Sequence, residues 1–172
     1  MDSRIGIFGG SFDPIHLGHV GIAERAVAEC GLSRVLVIPA HISPFKAGGT
    51  EPMDDALRWR LVQLACEDHP LLDPCDIEMA RGGVSYAIDT VLEVRARYPD
   101  AALYFILGED AMTGLPMWRD YDKLERLCTF VSFPRTHESS TEIRRRLAAG
   151  EPISGLVDPK VEEELKRHAK RS

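Results

Sequence analysis

A chain of 172 residues is long enough to bury the core of one domain without disulfides or metals. Its net charge of −6 argues against a nucleic-acid-binding surface, which needs a basic face, although a local cluster can still bind a small anion. No apolar run approaches the roughly 20 residues that span a bilayer, and four scattered cysteines without a C-x-x-C spacing favour reduced thiols in the cytoplasm.

Apolar segments of strand length alternate along the chain with segments of helical periodicity. The predicted strands are residues 4–8, 34–39, 71–79, 102–107 and 128–133. The predicted helices are residues 17–30, 54–68, 86–98, 115–127 (broken at Pro116), 139–149 and 159–170. This alternation predicts an α/β fold with a Rossmann-like, doubly wound, mostly parallel sheet and helices on both faces. We expect one domain over residues 1–172, helical from about residue 139.

The segment after the first predicted strand carries the strongest functional signal. Gly9 and Gly10 let backbone N–H groups approach an anion, and the following helix adds partial positive charge at its N-terminus. His16 and His19 are three residues apart, so both imidazoles can share one face of the first turn. The pattern predicts a phosphate site, but it leaves open a helix cap, a core contact or a metal pair.

Further candidate residues follow other predicted strands. Lys46 follows the second strand, residues 108–110 follow the fourth, and residues 135–141 follow the fifth. In parallel sheets, ligands bind at the carboxyl ends of the strands, near the point where the strand order reverses. We therefore expect these segments and the glycine turn to border one crevice.

Five motifs in chain order carry a resemblance to a known family. They are GGSFDPIHLGH, PAHISPFK, SYAIDT, LGED followed by LPMWRDYDKL, and SSTEIR. The first resembles the H-x-G-H signature of the nucleotidyltransferase superfamily, and the set resembles the nicotinate-nucleotide adenylyltransferases over nearly the whole chain. The resemblance implies adenylyl transfer from ATP to nicotinate mononucleotide, which gives deamido-NAD and pyrophosphate in NAD biosynthesis. It also implies Mg²⁺ carried with ATP, without a firm protein ligand.

The same resemblance implies roles for individual residues. The expected catalytic residues are His16, His19, Lys46 and Arg144. The expected ATP-binding residues are Gly9, Gly10, Ser11, Phe12, Gly18, Gly108, Asp110, Arg135, Ser139, Ser140 and Thr141. The expected pyridine-nucleotide-binding residues are Lys46, Tyr86, Ala87, Thr90 and Trp118.

Several of these residues also have a structural interpretation. Ser139 and Glu142 fit a capping box at the start of a helix. The run that begins at Arg144 fits a solvated face, and only Arg144 of its three arginines is expected at the crevice. Trp118 fits a core position, and Asp110 fits a helix cap.

The chain departs from the family pattern at two places. Ala87 stands where the family usually carries Thr, which leaves backbone N–H groups or Thr90 to meet a nicotinate carboxylate. The segment between Arg135 and Ser139 is shorter than in the family.

Other functions remain open at this point. They are another adenylyltransferase of the superfamily, for nicotinamide mononucleotide or phosphopantetheine, a cytidylyltransferase, and a catalytically silent nucleotide-binding module. A class I aminoacyl-tRNA synthetase is excluded because the chain is short and acidic. The expected partners are ATP and nicotinate mononucleotide, without nucleic acid or membrane, and the expected location is the cytoplasm. The oligomeric state, including a homo-oligomer, is left open.

Overall fold

The computed structural model describes residues 3–45 and 51–171. They form a five-stranded sheet in the order β3-β2-β1-β4-β5, and every neighbouring pair is parallel. The strands are β1 (Arg4–Gly10), β2 (Arg34–Pro39), β3 (Leu72–Pro74), β4 (Ala102–Gly108) and β5 (Thr129–Phe133). The predicted fold class is confirmed.

Helices cover both faces of the sheet. They are α1 (Leu17–Cys30), α2 (Asp55–Cys66), α3 (Ile77–Arg81), α4 (Ala87–Arg97), α5 (Tyr121–Leu127), α6 (Ser140–Ala149) and α7 (Pro159–Arg171). Successive side chains of a strand point to opposite faces, so Phe8 packs with Leu61 of α2 while Ile7 packs with Val91 of α4. The two core clusters therefore lie on opposite sides of β1.

The order of the strands reverses at β1. This strand pairs with β2 on one side and with β4 on the other, and the chain crosses over between β3 and β4. In a doubly wound sheet this is where a crevice opens at the carboxyl ends of the strands. Gly10 and Gly108 end the two strands that border it.

Two element predictions are wrong in part. The strand predicted over residues 71–79 is only β3, and α3 follows it. Pro74 is tolerated at the end of β3 because β3 is an edge strand, and the N–H of the next residue, Cys75, still donates to the backbone oxygen of Val37 at 2.9 Å. The helix predicted over residues 115–127 is a 3₁₀ turn, Leu115–Met117, followed by an extended Trp118, a left-handed Asp120 and then α5.

Other predictions agree with the structure. α1 has the predicted bounds, and Gly31 ends it in the left-handed conformation with φ of 62°. All four cysteines are free thiols. Within residues 3–45 and 51–171, no helix combines the length and the apolar character needed to cross a bilayer.

Candidate active site

A cavity of about 1500 Å³ opens at the carboxyl ends of β1, β2 and β4. This volume exceeds that of a typical pocket for one small ligand, which is about 300–1000 Å³. The predicted site residues on its wall are Gly9, Gly10, Ser11, Tyr86, Ala87, Gly108, Asp110, Trp118 and Arg144. Three strand ends, the first residue of α4 and Arg144 of α6 therefore border one space. This agrees with the prediction for the glycine turn and for residues 108–110, whereas residues 135–141 do not line this cavity.

The two histidines close the first turn of α1. The imidazole of His16 accepts hydrogen bonds at Nδ1 from the backbone N–H groups of Gly18 (3.1 Å) and His19 (3.4 Å). In return, Nδ1 of His19 accepts from the backbone N–H of His16 at 3.1 Å. Because each Nδ1 is an acceptor, the proton of each neutral ring is assigned to Nε2. The helix-cap interpretation is thus correct. The same hydrogen bonds to Nδ1 leave Nε2–H as the donor of each neutral ring.

The charge of His16 follows from its position. Its ring stacks on the ring of His19 with 3.7 Å between centroids, and it is 7% exposed. Burial lowers the pKa of His16 to about 4, against the opposing effect of the Glu138 carboxylate. At neutral pH the imidazole is therefore an uncharged hydrogen-bond donor.

The short connection between β5 and α6 covers this turn. A Cβ atom on Gly18 would lie 3.0 Å from Oε2 of Glu138 and still closer to Oγ1 of Thr136. The side chain of Glu138 is 10% exposed, and its Oε2 is buried without a hydrogen-bond partner among the described residues. The pKa of Glu138 lies below its ordinary value, first because of the nearby Thr136 hydroxyl. In this arrangement neither His16 nor His19 is on the cavity wall.

Arg144 connects α6 to the turn that follows β1. Its Nη1 donates to the backbone oxygen of Asp13 at 2.8 Å, and its Nη2 donates to Oγ1 of Thr141 at 3.3 Å. Nearby, the hydroxyl of Ser140 donates to the backbone oxygen of Pro14 at 2.9 Å. These contacts bring a guanidinium to the cavity beside the glycine turn.

The other two arginines of the run lie at the surface, as predicted. Arg145 and Arg146 both bind the carboxylate of Glu142, at 2.8 and 3.0 Å. The oxygen of Ser139 accepts from the backbone N–H of Glu142 at 3.0 Å, which confirms the N-cap. The Glu142 side chain binds Arg145 and Arg146 and so does not complete the predicted capping box.

Aromatic side chains form the other end of the cavity. Trp118 packs edge-on against Phe105 and lies 5.7 Å, between ring centroids, from the tilted ring of Phe45. The guanidinium of Arg119 lies 3.7 Å from the ring centroid of Tyr86. Trp118 and Phe45 both line the cavity, and their aromatic surfaces suit contact with an aromatic ligand ring.

Thr90 is not brought to the cavity. It is 1% exposed, and its hydroxyl donates to Oε2 of Glu78 at 2.6 Å. Glu78, which the sequence analysis did not single out, does border the cavity. Burial raises the pKa of Glu78 to about 7, and the bond from Thr90 only partly offsets this effect.

This raised pKa predicts a pH-dependent stability. Between pH 4.5 and about 7 the unfolded chain has released the Glu78 proton while the native state keeps it, so the free energy of unfolding falls as pH rises. His16, whose pKa burial lowers to about 4, has the opposite effect over nearly the same interval, so the contribution of Glu78, about 3 kcal/mol, is the difference between the pH profiles of the wild type and Glu78→Gln. Urea unfolding across the interval measures it, with the exposed Glu109→Gln as control. The same pH profile in the wild type and in Glu78→Gln would contradict the prediction.

The other predicted site residues either lie off the cavity wall or fall outside the described residues. Asp110, on the wall, pairs with Arg135 at 2.7 Å, and both side chains are well exposed. Phe12 places its ring in the core. The residues off the wall are Phe12, His16, Gly18, His19, Thr90, Arg135, Ser139, Ser140 and Thr141. Lys46 lies outside the described residues. The roles of all these residues stay predictions.

Arg58 is a wall residue that the sequence analysis missed. It is 1% exposed, and its guanidinium donates to the backbone oxygens of Ser11, Ala40 and Met53 at 2.7 to 2.9 Å. It also donates to a carboxylate oxygen of Asp55 at 2.6 Å. The sequence does contain a signal for the burial of Arg58, because residues 58, 61, 62 and 65 form one helical stripe whose other members are apolar.

Two known proteins of similar sequence carry the same name. The sequence model of the cytidylyltransferase-like family matches residues 7–155. A protein of Shouchella clausii named "Probable nicotinate-nucleotide adenylyltransferase" is 41% identical over 93% of this chain and 92% of its own length. One of the same name from Citrifermentans bemidjiense is 42% identical over 91% and 72%. The alignment with the Shouchella protein runs over 180 positions, more than the 172 residues here, so that relative carries residues that this chain lacks.

Two solved structures share the fold. A protein from Vibrio parahaemolyticus named as a nicotinate-nucleotide adenylyltransferase has a TM-score of 0.80 at 25% identity, over 96% of this chain and 93% of its own. The Plasmodium falciparum nicotinic acid mononucleotide adenylyltransferase complexed with NaAD has a TM-score of 0.77 at 15% identity, over 96% of each chain. The second likeness concerns the fold alone.

Proposed function

Because the chain belongs to the cytidylyltransferase-like family, and within it to the nicotinate-nucleotide adenylyltransferases, we propose that its cavity joins ATP and nicotinate mononucleotide. The protein is a nucleotidyltransferase of NAD biosynthesis. In the proposed reaction a phosphate oxygen of the mononucleotide attacks the α-phosphorus of ATP, deamido-NAD forms, and pyrophosphate leaves.

One observation supports this proposal most directly. A single cavity has a glycine turn and a guanidinium at one end and aromatic side chains at the other. Gly10 and Arg144 suit a polyphosphate, and Trp118 suits a pyridine ring. The volume of about 1500 Å³ is also larger than one small ligand requires, which agrees with a site for two nucleotides.

The proposed chemistry depends on position and charge. No covalent nucleophile is required, so the protein accelerates the reaction by alignment and by stabilising charge on the phosphates. The Nε2–H groups of His16 and His19 donate to phosphate oxygens, with His19 at the α-phosphate. Arg144 binds the β- and γ-phosphates as a forked donor, and Lys46 stabilises the polyphosphate in the transition state.

The described residues fit a magnesium ion carried by the substrate. They contain no group of three or more His, Cys, Asp or Glu side chains placed to hold a metal ion. Mg²⁺ commonly keeps several waters and binds through substrate phosphates, so we expect ATP and water to supply its ligands. When bound, it would neutralise charge on the phosphates.

Access of ATP to the imidazoles requires that residues 136–138 move away from Gly18. An ionised Glu138 opposes an incoming phosphate, because like charges repel at short range. Glu138→Ala should therefore lower the Michaelis constant for ATP about threefold to tenfold and leave that for the pyridine nucleotide unchanged. Initial-rate kinetics measure both constants. A raised constant for ATP would instead make Glu138 a contributor to nucleotide binding.

Turnover with different acceptors tests the function. Purified protein with ATP and Mg²⁺ is given nicotinate mononucleotide, nicotinamide mononucleotide or phosphopantetheine, and pyrophosphate release is followed. We expect the highest kcat/KM with nicotinate mononucleotide. Preference for another acceptor would reassign the substrate, and nucleotide binding without pyrophosphate release would favour a silent binding module.

Trp118→Ala tests the aromatic end of the cavity. Loss of the indole removes a stacking surface worth about 0.5–1.5 kcal/mol beyond its buried area. The Michaelis constant for the pyridine nucleotide should rise about tenfold, while the constant for ATP stays nearly the same. Equal changes in both constants would mean that Trp118 acts only through packing.

A further inference from the structure

We propose that His41, oriented by Asp55, binds the attacking phosphate of the acceptor mononucleotide. This inference rests on the proposed function and adds to it a substrate contact that the motif comparison did not assign. His41 borders the cavity, and its side chain is 33% exposed.

A carboxylate fixes which nitrogen of His41 can face a ligand. Nδ1 is hydrogen-bonded to Oδ2 of Asp55, whose other oxygen accepts from Nη2 of Arg58 at 2.6 Å. An ionised carboxylate only accepts hydrogen bonds, so Nδ1 of His41 is the donor. Nε2 is then the ring nitrogen available to a phosphate, and it donates a hydrogen bond in the form of the ring that carries a proton on both nitrogens.

Backbone contacts place His41 between the two ends of the cavity. Its N–H donates to the hydroxyl of Ser85 at 3.0 Å, next to Tyr86 at the aromatic end. Its carbonyl oxygen lies 3.5 Å from Nη2 of Arg58, whose Nη1 donates to the backbone oxygen of Ser11 at 2.7 Å. One guanidinium therefore separates His41 from the turn that follows β1.

The position of His41 between the two ends of the cavity corresponds to the 5′-phosphate of the acceptor mononucleotide. If the pyridine ring stacks at Trp118 and the ATP phosphates lie at Gly10, the 5′-phosphate of the mononucleotide lies between them. A donor at that point would hold the attacking oxygen in line with the α-phosphorus, which is the alignment that the reaction needs. His41 is the imidazole at that position on the wall.

A second histidine–carboxylate pair provides a matched control. His69 is hydrogen-bonded through Nδ1 to Oε1 of Glu24 at 2.9 Å, and its side chain is 30% exposed. Neither His69 nor Glu24 borders the cavity. Loss of either histidine removes one imidazole from a similar pair, so the two variants differ mainly in their distance from the substrate.

The test compares two ligands that differ only in the phosphate. Isothermal titration measures the affinity of the wild type, His41→Ala and His69→Ala for nicotinate mononucleotide and for nicotinate riboside. A hydrogen bond to a charged group contributes about 1.5–3 kcal/mol, so His41→Ala should reduce the preference for the phosphorylated ligand about tenfold or more. Affinity for the riboside should not change, and His69→Ala should behave as the wild type.

Asp55→Asn tests the orienting role. Its loss of phosphate preference should match that of His41→Ala, and the double variant should lose no more than either single one, because both act on one contact. Glu24→Gln is its control. Should Asp55→Asn fail to fold, the His41→Ala comparison alone decides.

The outcomes separate this inference from the function. An unchanged phosphate preference in His41→Ala, with a wild type that turns over, would overturn the role of His41 and leave the function standing. A wild type that binds neither ligand would overturn both.

Discussion

We expect His19→Ala to reduce turnover on the order of 10²–10⁴-fold. The reason is that Nδ1 of His19 accepts from the backbone N–H of His16, so Nε2 carries the proton of the neutral ring and can donate to the α-phosphate. A donor that is already oriented stabilises charge in the transition state without reorganisation. Steady-state kcat with ATP and nicotinate mononucleotide measures the effect.

A second substitution separates this role from helix capping. His19→Ala also removes one half of the cap on α1, at a cost of about 1 kcal/mol in stability. His19→Asn retains a side-chain oxygen that can accept from the His16 N–H, but it lacks the imidazole donor. Its kcat should fall as in His19→Ala while its melting temperature stays close to that of the wild type. Near-normal turnover in His19→Asn would assign His19 to capping alone.

The strands and helices near the start of the chain could be predicted from local sequence. β1 and β2 are short apolar runs, and glycine ends α1 at the predicted residue. Such elements depend on periodicity and on residues with special backbone preferences, which a single sequence displays. The parallel order follows, because strands joined by helices form crossover units.

Predictions failed where tertiary contacts decide the backbone. Residues 77–79 are predicted as the end of a strand, yet Ile77 and Glu78 are buried in the short helix α3. At Trp118 the chain leaves its helical path, and the indole then packs against Phe105 of β4. Local pattern cannot foresee a turn that is stabilised by a strand distant in sequence.

The candidate site also has features that could be predicted from the sequence and features that could not. That Gly10, Gly108 and Arg144 border one cavity could be predicted, because each follows or faces the end of a parallel strand. That Glu138 covers the first turn of α1 could not, since it depends on the path of a short connection between β5 and α6. The burial of Arg58 could have been predicted, because Arg58 is a charged residue in an otherwise apolar helical stripe.

Arg58→Met should lower the free energy of unfolding by about 3–5 kcal/mol. The guanidinium uses all five of its N–H groups: Nε donates to Met53, Nη1 to Ser11 and Ala40, and Nη2 to His41 and Asp55. Met has a similar volume but no donor, so several buried oxygens lose a hydrogen-bond partner. Urea unfolding at constant pH measures the loss.

Two further variants make the test of Arg58 specific. Arg60→Met, on an exposed position of the same helix, should change stability by no more than about 0.5 kcal/mol. Arg58→Lys keeps the charge, but three donors cannot replace a planar fork of five, so its stability should fall between those of the wild type and Arg58→Met. Equal stability of Arg58→Lys and the wild type would mean that charge, and not the fork of donors, connects the turn after β1 to the turn after β2. Because both turns border the cavity, the fork of Arg58 makes the shape of the active site depend on the same bonds that stabilise the fold.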